Sequence, residues 1–284
     1  MKTVVTPAEF RQLSAAAPGP RVLVPTMGAL HAGHLALVSK AREIAGPDGA
    51  VMVSIFVNPI QFDRQSDLAA YPKPLEADLA ACRDAGVDIA FVPEPAMMYH
   101  ADRSVTVTES SLSKTLCGAT RPGHFDGVCT VVLKLFLLGG CSHAVFGEKD
   151  FQQLAIIRRM VRDLDVPVEI IPHPTLRESD GLALSSRNVR LDPAQRADAP
   201  RLRRALVAAR EAFRNGERVS EALIGIAGRE IEASPLTRID YLSLVDAESL
   251  QPVDRVDASA ALATAVFYGD VRLIDHIGLN PAGA

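Results

Sequence analysis

The stretch VPTMGALHAGHLALV, from Val24 to Val38, predicts an apolar strand, a tight turn and an amphipathic helix that begins near His34. Parallel sheets bind ligands where such a turn leaves the carboxyl end of a strand, because the first N–H groups of the following helix lack main-chain partners. Gly28 and Gly33 have no side chain that would keep a phosphate away from the main chain. The stretch therefore predicts an anion site at this turn.

Two histidines, His31 and His34, stand three residues apart in this turn. At the start of a helix both rings can point the same way, toward a phosphate that gains negative charge during displacement. The alternative is that they cap the helix and bond only nearby main chain, since so short an HxGH motif often arises by chance. The chain has neither a GxxxxGK phosphate loop nor a GxGxxG motif, which removes the usual P-loop and dinucleotide fingerprints.

Outward from this turn, short β-rich runs alternate with helical patterns over the first part of the chain. The strands are nearly all apolar, which is typical of a parallel sheet covered on both faces by helices. Pro72 and Pro74 interrupt one helical pattern, so the next helix is predicted to begin near Leu75 and to end before Gly86. The alternation predicts an α/β fold for residues 1–175.

The pattern changes after this point, where a polar stretch precedes two long helical patterns, from Pro193 to Phe213 and from Val219 to Ala233. Two strand-like runs follow, IDYLSLVD and ALATAVFYGDVRLID. This order predicts a second, smaller α+β domain over residues 176–284.

The composition limits the classes of partner. With 284 residues, a net charge of -4 and a pI near 6.0, the chain can form a substantial core but has no excess of positive charge. Nucleic acid and membrane surfaces are therefore not expected as partners. The N-terminus shows no secretion signal, and Lys134 interrupts the most apolar run, so no membrane span is predicted. Four scattered cysteines suggest neither a zinc site nor a disulfide framework, and reduced thiols in the cytoplasm are expected.

Polar side chains follow another buried strand in VSIFVNPIQF, Val53 to Phe62. The amides of Asn58 and Gln61 could donate to a carboxylate or a hydroxyl without adding charge, which suits a small polar acid in a mostly apolar pocket. Asn-Pro is also a strong turn signal, so Asn58 could be purely structural. Gln61 has no such alternative explanation.

A third strand-to-helix turn lies in FGEKDFQQL, Phe146 to Leu154. Lys149 could bind a phosphate at the helix N-terminus, although exposed lysines are usually solvated. Asp150 is well placed to cap the helix, and Gln153 would face the cleft one turn inside it.

A fourth segment, RESDGLALSSRN from Arg177 to Asn188, lies at the expected domain junction. Ser185, Ser186 and Arg187 offer several donors and a fixed positive charge within three residues, a combination that suits a polyphosphate. The alternative is a plain polar linker.

Two further segments contain residues that are weaker candidates for the site. In YPKPLEAD, Asp78 could approach Mg²⁺ through water, or it could belong to a solvated helix face. In RPGHFDGV, Arg121 and His124 flank a Pro-Gly turn, where they could line the pocket or cap a helix.

Six segments, in this order and at these separations, resemble the pantothenate synthetase family: PTMGALHAGH, SIFVNPIQF, YPKPLEAD, RPGHFDGV, FGEKDFQQL and DGLALSSRN. The C-terminal GDVRLIDHI is similar to the closing strand of that family, so the resemblance covers essentially the full chain. It implies a Rossmann-like parallel-sheet N-terminal domain that binds ATP and pantoate, a C-terminal lid domain, a homodimer and a requirement for ATP and Mg²⁺. It also implies the reaction, in which pantoate, β-alanine and ATP give pantothenate, AMP and pyrophosphate.

The resemblance also implies roles for individual residues. Those expected at the phosphates of the nucleotide are His31, His34 and Lys149, and those expected at the triphosphate are Ser185, Ser186 and Arg187. Gly147 and Asp150 are expected near the ribose, and the main chain around Met27 is expected to line the nucleotide site. Those expected at pantoate are Asn58, Gln61 and Gln153. His31, His34, Lys149 and Arg187 are the expected catalytic residues.

The expected mechanism begins with attack of the pantoate carboxylate on the α-phosphorus, since a carboxylate cannot acylate an amine at neutral pH. A pantoyl adenylate results, and β-alanine then displaces AMP from it. Two other classes compete with this hypothesis: a nucleotidyltransferase that transfers AMP or CMP to a phosphate, and a non-catalytic ATP-sensing module. A tRNA-charging enzyme is disfavoured by the acidic charge balance.

Overall fold

The computed structural model describes residues 1–281 and divides them into two compact units. The first unit comprises Met1–Glu109, Arg121–Glu148 and Ile156–Pro174. The second comprises Ser110–Thr120, Lys149–Ala155 and the described residues from Thr175 onward. Within residues 1–281, every helix falls short of the length and apolarity that crossing a membrane requires.

The strands are β1 (Lys2–Val4), β2 (Arg21–Thr26), β3 (Ala50–Ile55), β4 (Ile89–Phe91), β5 (His143–Gly147), β6 (Glu169–His173), β7 (Thr237–Asp246), β8 (Ala260–Tyr268) and β9 (Val271–Leu279). The α-helices are α1 (Pro7–Ala16), α2 (Ala32–Ala45), α3 (Gln65–Ala69), α4 (Leu75–Asp84), α5 (Pro95–Met98), α6 (Leu116–Thr120), α7 (His124–Gly139), α8 (Phe151–Asp163), α9 (Pro193–Asp198), α10 (Arg201–Arg214) and α11 (Ser220–Glu232).

The first unit is built on a parallel sheet in the order β1-β4-β3-β2-β5-β6. The four inner strands, β2 to β5, are largely buried, as their apolar sequences predict, whereas the edge strands β1 and β6 are partly exposed. On one face, Val51 of β3 packs in a core with Leu37 of α2. On the other, Met52 and Phe10 approach Gly139 of α7. The predicted α/β class with a Rossmann-like parallel sheet is confirmed.

The helix that follows the quoted turn begins earlier than the sequence predicts. It starts at Ala32 rather than near His34, because the His31 side chain accepts a hydrogen bond from the main-chain N–H of Gly33 and acts as the N-cap. The predicted helix from Leu75 to a point before Gly86 is confirmed.

The second unit contains the antiparallel sheet β7-β8-β9, against which α10 and α11 bury their apolar faces. The α+β prediction for this part of the chain is confirmed, but two of its elements differ. The helix predicted from Pro193 to Phe213 is two helices, since Pro200 cannot continue the hydrogen bonding of α9. The last strand-like run is a hairpin, in which Gly269 turns the chain between β8 and β9 at a φ of +57°.

Candidate active site

Neighbouring strands bring two of the predicted segments to one edge of the first sheet. Thr26, the last residue of β2, lies in register with Ile55, the last residue of β3. The turn that contains the histidines and the segment that contains Asn58 and Gln61 both leave the sheet at this carboxyl edge. This is where open parallel sheets bind their ligands.

A buried carboxylate fixes the turn after β2. Asp78 is 3% exposed, and its two carboxylate oxygens accept the main-chain N–H groups of Ala29 and Leu30 at 2.8 and 2.7 Å. Gly28 has a φ of +80°, and a Cβ at this position would lie 2.8 Å from an Asp78 oxygen, so only glycine fits. Asp78 therefore holds the turn in one conformation, a role that the sequence alone did not indicate. Because its side chain is buried, Asp78 does not lie on the solvated helix face of the alternative interpretation, and its approach to Mg²⁺ through water stays a prediction.

The imidazoles of His31 and His34 lie together at the start of α2, with ring centroids 4.1 Å apart. Nδ1 of His31 accepts the N–H of Gly33 at 3.1 Å, and Nδ1 of His34 accepts the N–H of His31 at 3.3 Å. An accepting Nδ1 carries no proton, so the Nε2 of each neutral ring is a donor. The capping interpretation and the phosphate interpretation are thus compatible, because the main chain uses one nitrogen of each ring and leaves the other with the character of a donor.

Asn58 and Gln61 form a buried amide pair beside Met27. Asn58 Nδ2 donates to Gln61 Oε1 at 2.8 Å and to the carbonyl of Gly127 at 3.1 Å, while Tyr99 Oη donates to Asn58 Oδ1 at 2.7 Å. Gln61 Nε2 lies 3.3 Å from the sulfur of Met27. Every polar atom of the Asn58 side chain makes a hydrogen bond within the protein, which favours a supporting role over the predicted direct contact with pantoate. Gln61 keeps its amide donors directed toward Met27.

Arg121 and His124 fix the main chain of Gln61. His124 Nδ1 lies 2.8 Å from the Gln61 carbonyl, which can only accept, and His124 Nε2 therefore accepts from Arg121 at 3.2 Å. Arg121 also donates to Asp63 at 2.8 Å. Burial raises the pKa of the Asp63 carboxyl, but the hydrogen bond and charge of Arg121 outweigh burial and hold this pKa below its usual range. Both side chains act here as supports of the Asn58–Phe62 segment.

Apart from Gly147, the remaining predicted nucleotide contacts lie in the second unit. Lys149 Nζ lies 3.8 Å from an Asp150 oxygen, and both residues belong to a single 3-10 turn that leads into α8. The adjacent Gln152, which the sequence did not single out, is 5% exposed and donates to the carbonyls of Leu112 and Thr115 at 2.8 and 2.7 Å. It fixes the start of α8, and the repeat QQ gives no sign of which glutamine is buried.

A buried ion pair holds the base of the segment that contains Ser185, Ser186 and Arg187. Arg177 donates twice to Asp275, at 2.7 and 2.8 Å, and the Asp275 side chain is 4% exposed. Ser185 Oγ accepts the N–H of Arg187 at 3.2 Å, which tightens the turn. The segment is thus a structured loop and not the plain linker of the alternative interpretation.

The candidate residues fall into two groups. Gly147 ends β5 in the first unit, which also contains Met27, His31, His34, Asn58 and Gln61. The second unit contains Lys149, Asp150, Gln153, Ser185, Ser186 and Arg187.

Comparisons with known proteins show which family this chain is similar to. The family model described as pantoate-beta-alanine ligase matches residues 2–278. A pantothenate synthetase of Akkermansia muciniphila is 57% identical over 258 residues, which cover 91% of this chain and 92% of the relative. The crystal structure of pantothenate synthetase from Thermus thermophilus superposes with a TM-score of 0.93 at 47% identity and covers 99% of this chain and 100% of its own.

A more distant solved structure carries ligands. The pantoate-beta-alanine ligase from Francisella tularensis, in complex with beta-gamma ATP and β-alanine, is 28% identical, with a TM-score of 0.75 and coverage of 98% of this chain and 97% of its own. The resemblance found in the six sequence segments is confirmed. This chain therefore belongs to the pantoate–β-alanine ligase family.

Proposed function

We propose that this chain condenses pantoate with β-alanine at the expense of ATP and releases pantothenate, AMP and pyrophosphate. Membership of the ligase family supports the reaction, and the complex of the Francisella tularensis relative with beta-gamma ATP and β-alanine supports the substrates. The observation that carries the proposal is the pair of imidazoles at the N-terminus of α2, on a turn that Asp78 fixes at the carboxyl edge of the sheet. Paired donors at a helix N-terminus suit a polyphosphate in displacement.

In the first step, a carboxylate oxygen of pantoate attacks the α-phosphorus of ATP. The new P–O bond forms as the bond to pyrophosphate breaks, and the electron pair leaves with pyrophosphate. The Nε2–H donors of His31 and His34, with the charges of Lys149 and Arg187, offset the negative charge that develops on the phosphate oxygens. No covalent enzyme nucleophile is needed, so the protein acts by positioning and charge.

In the second step, the neutral amine of β-alanine attacks the carbonyl carbon of pantoyl adenylate. The C–N bond of pantothenate forms, the C–O bond to AMP breaks with its electron pair going to AMP, and the amine loses one proton. We propose that Gln61 and Gln153 orient pantoate with neutral amides, which add no charge beside the carboxylate. Asn58 contributes through the orientation of Gln61.

The remaining nucleotide contacts are also proposals. We assign Met27, Gly147 and Asp150 to the nucleoside end of ATP, and Ser185, Ser186 and Arg187 to its triphosphate. The turn of Ser185 and Arg187 is compact, which suits hydroxyl and guanidinium donors that must meet several phosphate oxygens at once.

The described residues do not form a protein cage for Mg²⁺, since no three histidine, cysteine or acidic side chains within residues 1–281 group to hold a metal ion. We propose that Mg²⁺ instead accompanies the phosphates of ATP, as it commonly does when a protein supplies few ligands. A homodimer, a cytoplasmic location, and the division into a catalytic domain (1–175) and a lid domain (176–284) are further proposals that follow from the family resemblance.

A product analysis tests the proposed function. The purified chain is incubated with Mg-ATP and pantoate, with and without β-alanine, and pyrophosphate, AMP and pantothenate are measured together. We expect AMP and pantothenate in equal amounts only when β-alanine is present. Pyrophosphate release that does not respond to pantoate would instead indicate a nucleotidyltransferase with another acceptor, and nucleotide binding without turnover would indicate an ATP sensor.

A further inference from the structure

A network of four hydrogen-bonding groups includes Gly127 of α7 and ends at Gln61. It runs from the Gly127 carbonyl and the Tyr99 hydroxyl, through the amide of Asn58, to the amide of Gln61. Asn58 is 1% exposed and Gln61 is 8% exposed, so water has little access to these contacts. A Cβ on Gly127 would lie 2.6 Å from the Ile60 carbonyl, so only glycine allows α7 to come this close.

The donors and acceptors of this network can be assigned because one of its groups, the Gly127 carbonyl, can only accept. The Gly127 carbonyl can only accept, so the group of Asn58 that faces it is Nδ2, and Oδ1 faces Tyr99. The Tyr99 hydroxyl must then donate. The second hydrogen of Asn58 Nδ2 faces Gln61, so the facing atom of Gln61 is Oε1.

The orientation of the Gln61 amide follows. With Oε1 bound to Asn58, Nε2 is directed toward the Met27 sulfur, 3.3 Å away. A thioether is a weak acceptor, so this donor can exchange it for a substrate oxygen. An amide turned the other way would present an acceptor, which a carboxylate oxygen cannot satisfy.

We propose that Tyr99 is a positioning residue that, through Asn58, fixes Gln61 with its donor toward the carboxylate or hydroxyl oxygens of pantoate. This inference rests on the proposed function. Without the Tyr99 hydroxyl, Oδ1 of Asn58 loses its hydrogen-bond donor at a position that water hardly reaches. The Asn58 side chain then adopts a different conformation, in which Oδ1 can accept a hydrogen bond from another donor. Gln61 then loses the contact that sets its orientation.

The surroundings of Tyr99 favour a clean test by Tyr99→Phe. The ring is held by contacts that phenylalanine retains, with Phe56 at 6.2 Å between centroids and the Arg103 guanidinium 5.4 Å from the ring. Burial raises the pKa of the Tyr99 hydroxyl above its usual value, so the group remains a donor across the physiological pH range. The substitution removes the donor and little else.

The expected result is selective for one substrate. We expect Tyr99→Phe to raise the KM for pantoate about tenfold, on the scale of one hydrogen bond, and to change the KM values for ATP and β-alanine by less than about twofold. The matched control is Tyr268→Phe, which removes another buried hydroxyl, 3.0 Å from Asp198, in the second unit. It should lower the Tm and leave the KM for pantoate unchanged.

A double-mutant cycle separates positioning from general damage. In a Gln61→Ala background, Tyr99→Phe should raise the KM for pantoate no further, since the side chain that it orients is gone. An unchanged KM in the single variant, an equal rise in both backgrounds, or a common rise for all three substrates would overturn the inference. The wild-type chain is assayed first: if it forms no pantothenate, the proposed function fails, whereas an active wild type with an unaffected Tyr99→Phe variant refutes only the positioning role.

Discussion

The His34→Ala variant is expected to form pantoyl adenylate about 10²–10³-fold more slowly than the wild-type chain, on the scale of one lost electrostatic contact to a developing charge. His34 Nδ1 accepts the N–H of His31, so Nε2 carries the proton of the neutral ring, and we propose that this N–H donates to phosphate. Pantoate-dependent release of pyrophosphate in a single turnover measures this step directly.

His34 also stabilises the start of α2, so the loss of rate must be separated from a loss of structure. The control is His34→Gln, because a glutamine at the third helical position can still accept the N–H of His31 while it lacks the imidazole. We expect this variant to keep its Tm near that of the wild type and to lose the rate as the alanine variant does. A folded His34→Gln or His34→Ala protein with an unchanged rate would contradict the phosphate role.

The second large effect is expected for Lys149→Met, which keeps the length of the side chain and removes its charge. Lys149 has 19% of its side chain exposed, and its ammonium lies 3.8 Å from an Asp150 oxygen, too long for a close ion pair. We expect kcat/KM for ATP to fall by about 10²-fold or more, as for a lost charge at a transferring phosphoryl group. Steady-state kinetics with saturating pantoate and β-alanine measure the change.

Lys40→Met is the matched control for this substitution. Lys40 has 40% of its side chain exposed and pairs with Glu43 on the outer surface of α2, so loss of its charge should leave kcat/KM within about twofold of the wild type. Equal effects of the two substitutions would indicate a general effect of charge and would refute a specific role for Lys149.

The sheet of the first unit could be predicted because its signal is local. Strands such as Ala50–Ile55 are apolar at nearly every position, which burial on both faces explains. The prediction of one helix from Pro193 to Phe213 was wrong. The apolar periodicity of the sequence continues past Pro200, but the helical hydrogen bonding does not. Periodicity alone did not locate this break.

The sequence likewise predicted some features of the candidate site and missed others. The closeness of the His31 and His34 rings could be predicted, because the two residues are three positions apart at the start of a helix. The contacts of Asp78 and Tyr99 could not be predicted, since their partners lie 48 and 49 residues from Asp78 and 41 residues from Tyr99 along the chain. Such contacts depend on how strands and helices pack together, and no local sequence pattern indicates them.

The formation of an acyl adenylate is tested most directly by the fate of the pantoate oxygens. Pantoate labelled with ¹⁸O in its carboxylate is incubated with Mg-ATP, β-alanine and the purified chain, and the AMP is analysed by mass spectrometry. Because the bond that breaks in the second step joins the carbonyl carbon to oxygen, one labelled oxygen should appear in the phosphate of AMP. Unlabelled AMP, with the label in pyrophosphate or retained entirely in pantoate and pantothenate, would contradict the adenylate mechanism.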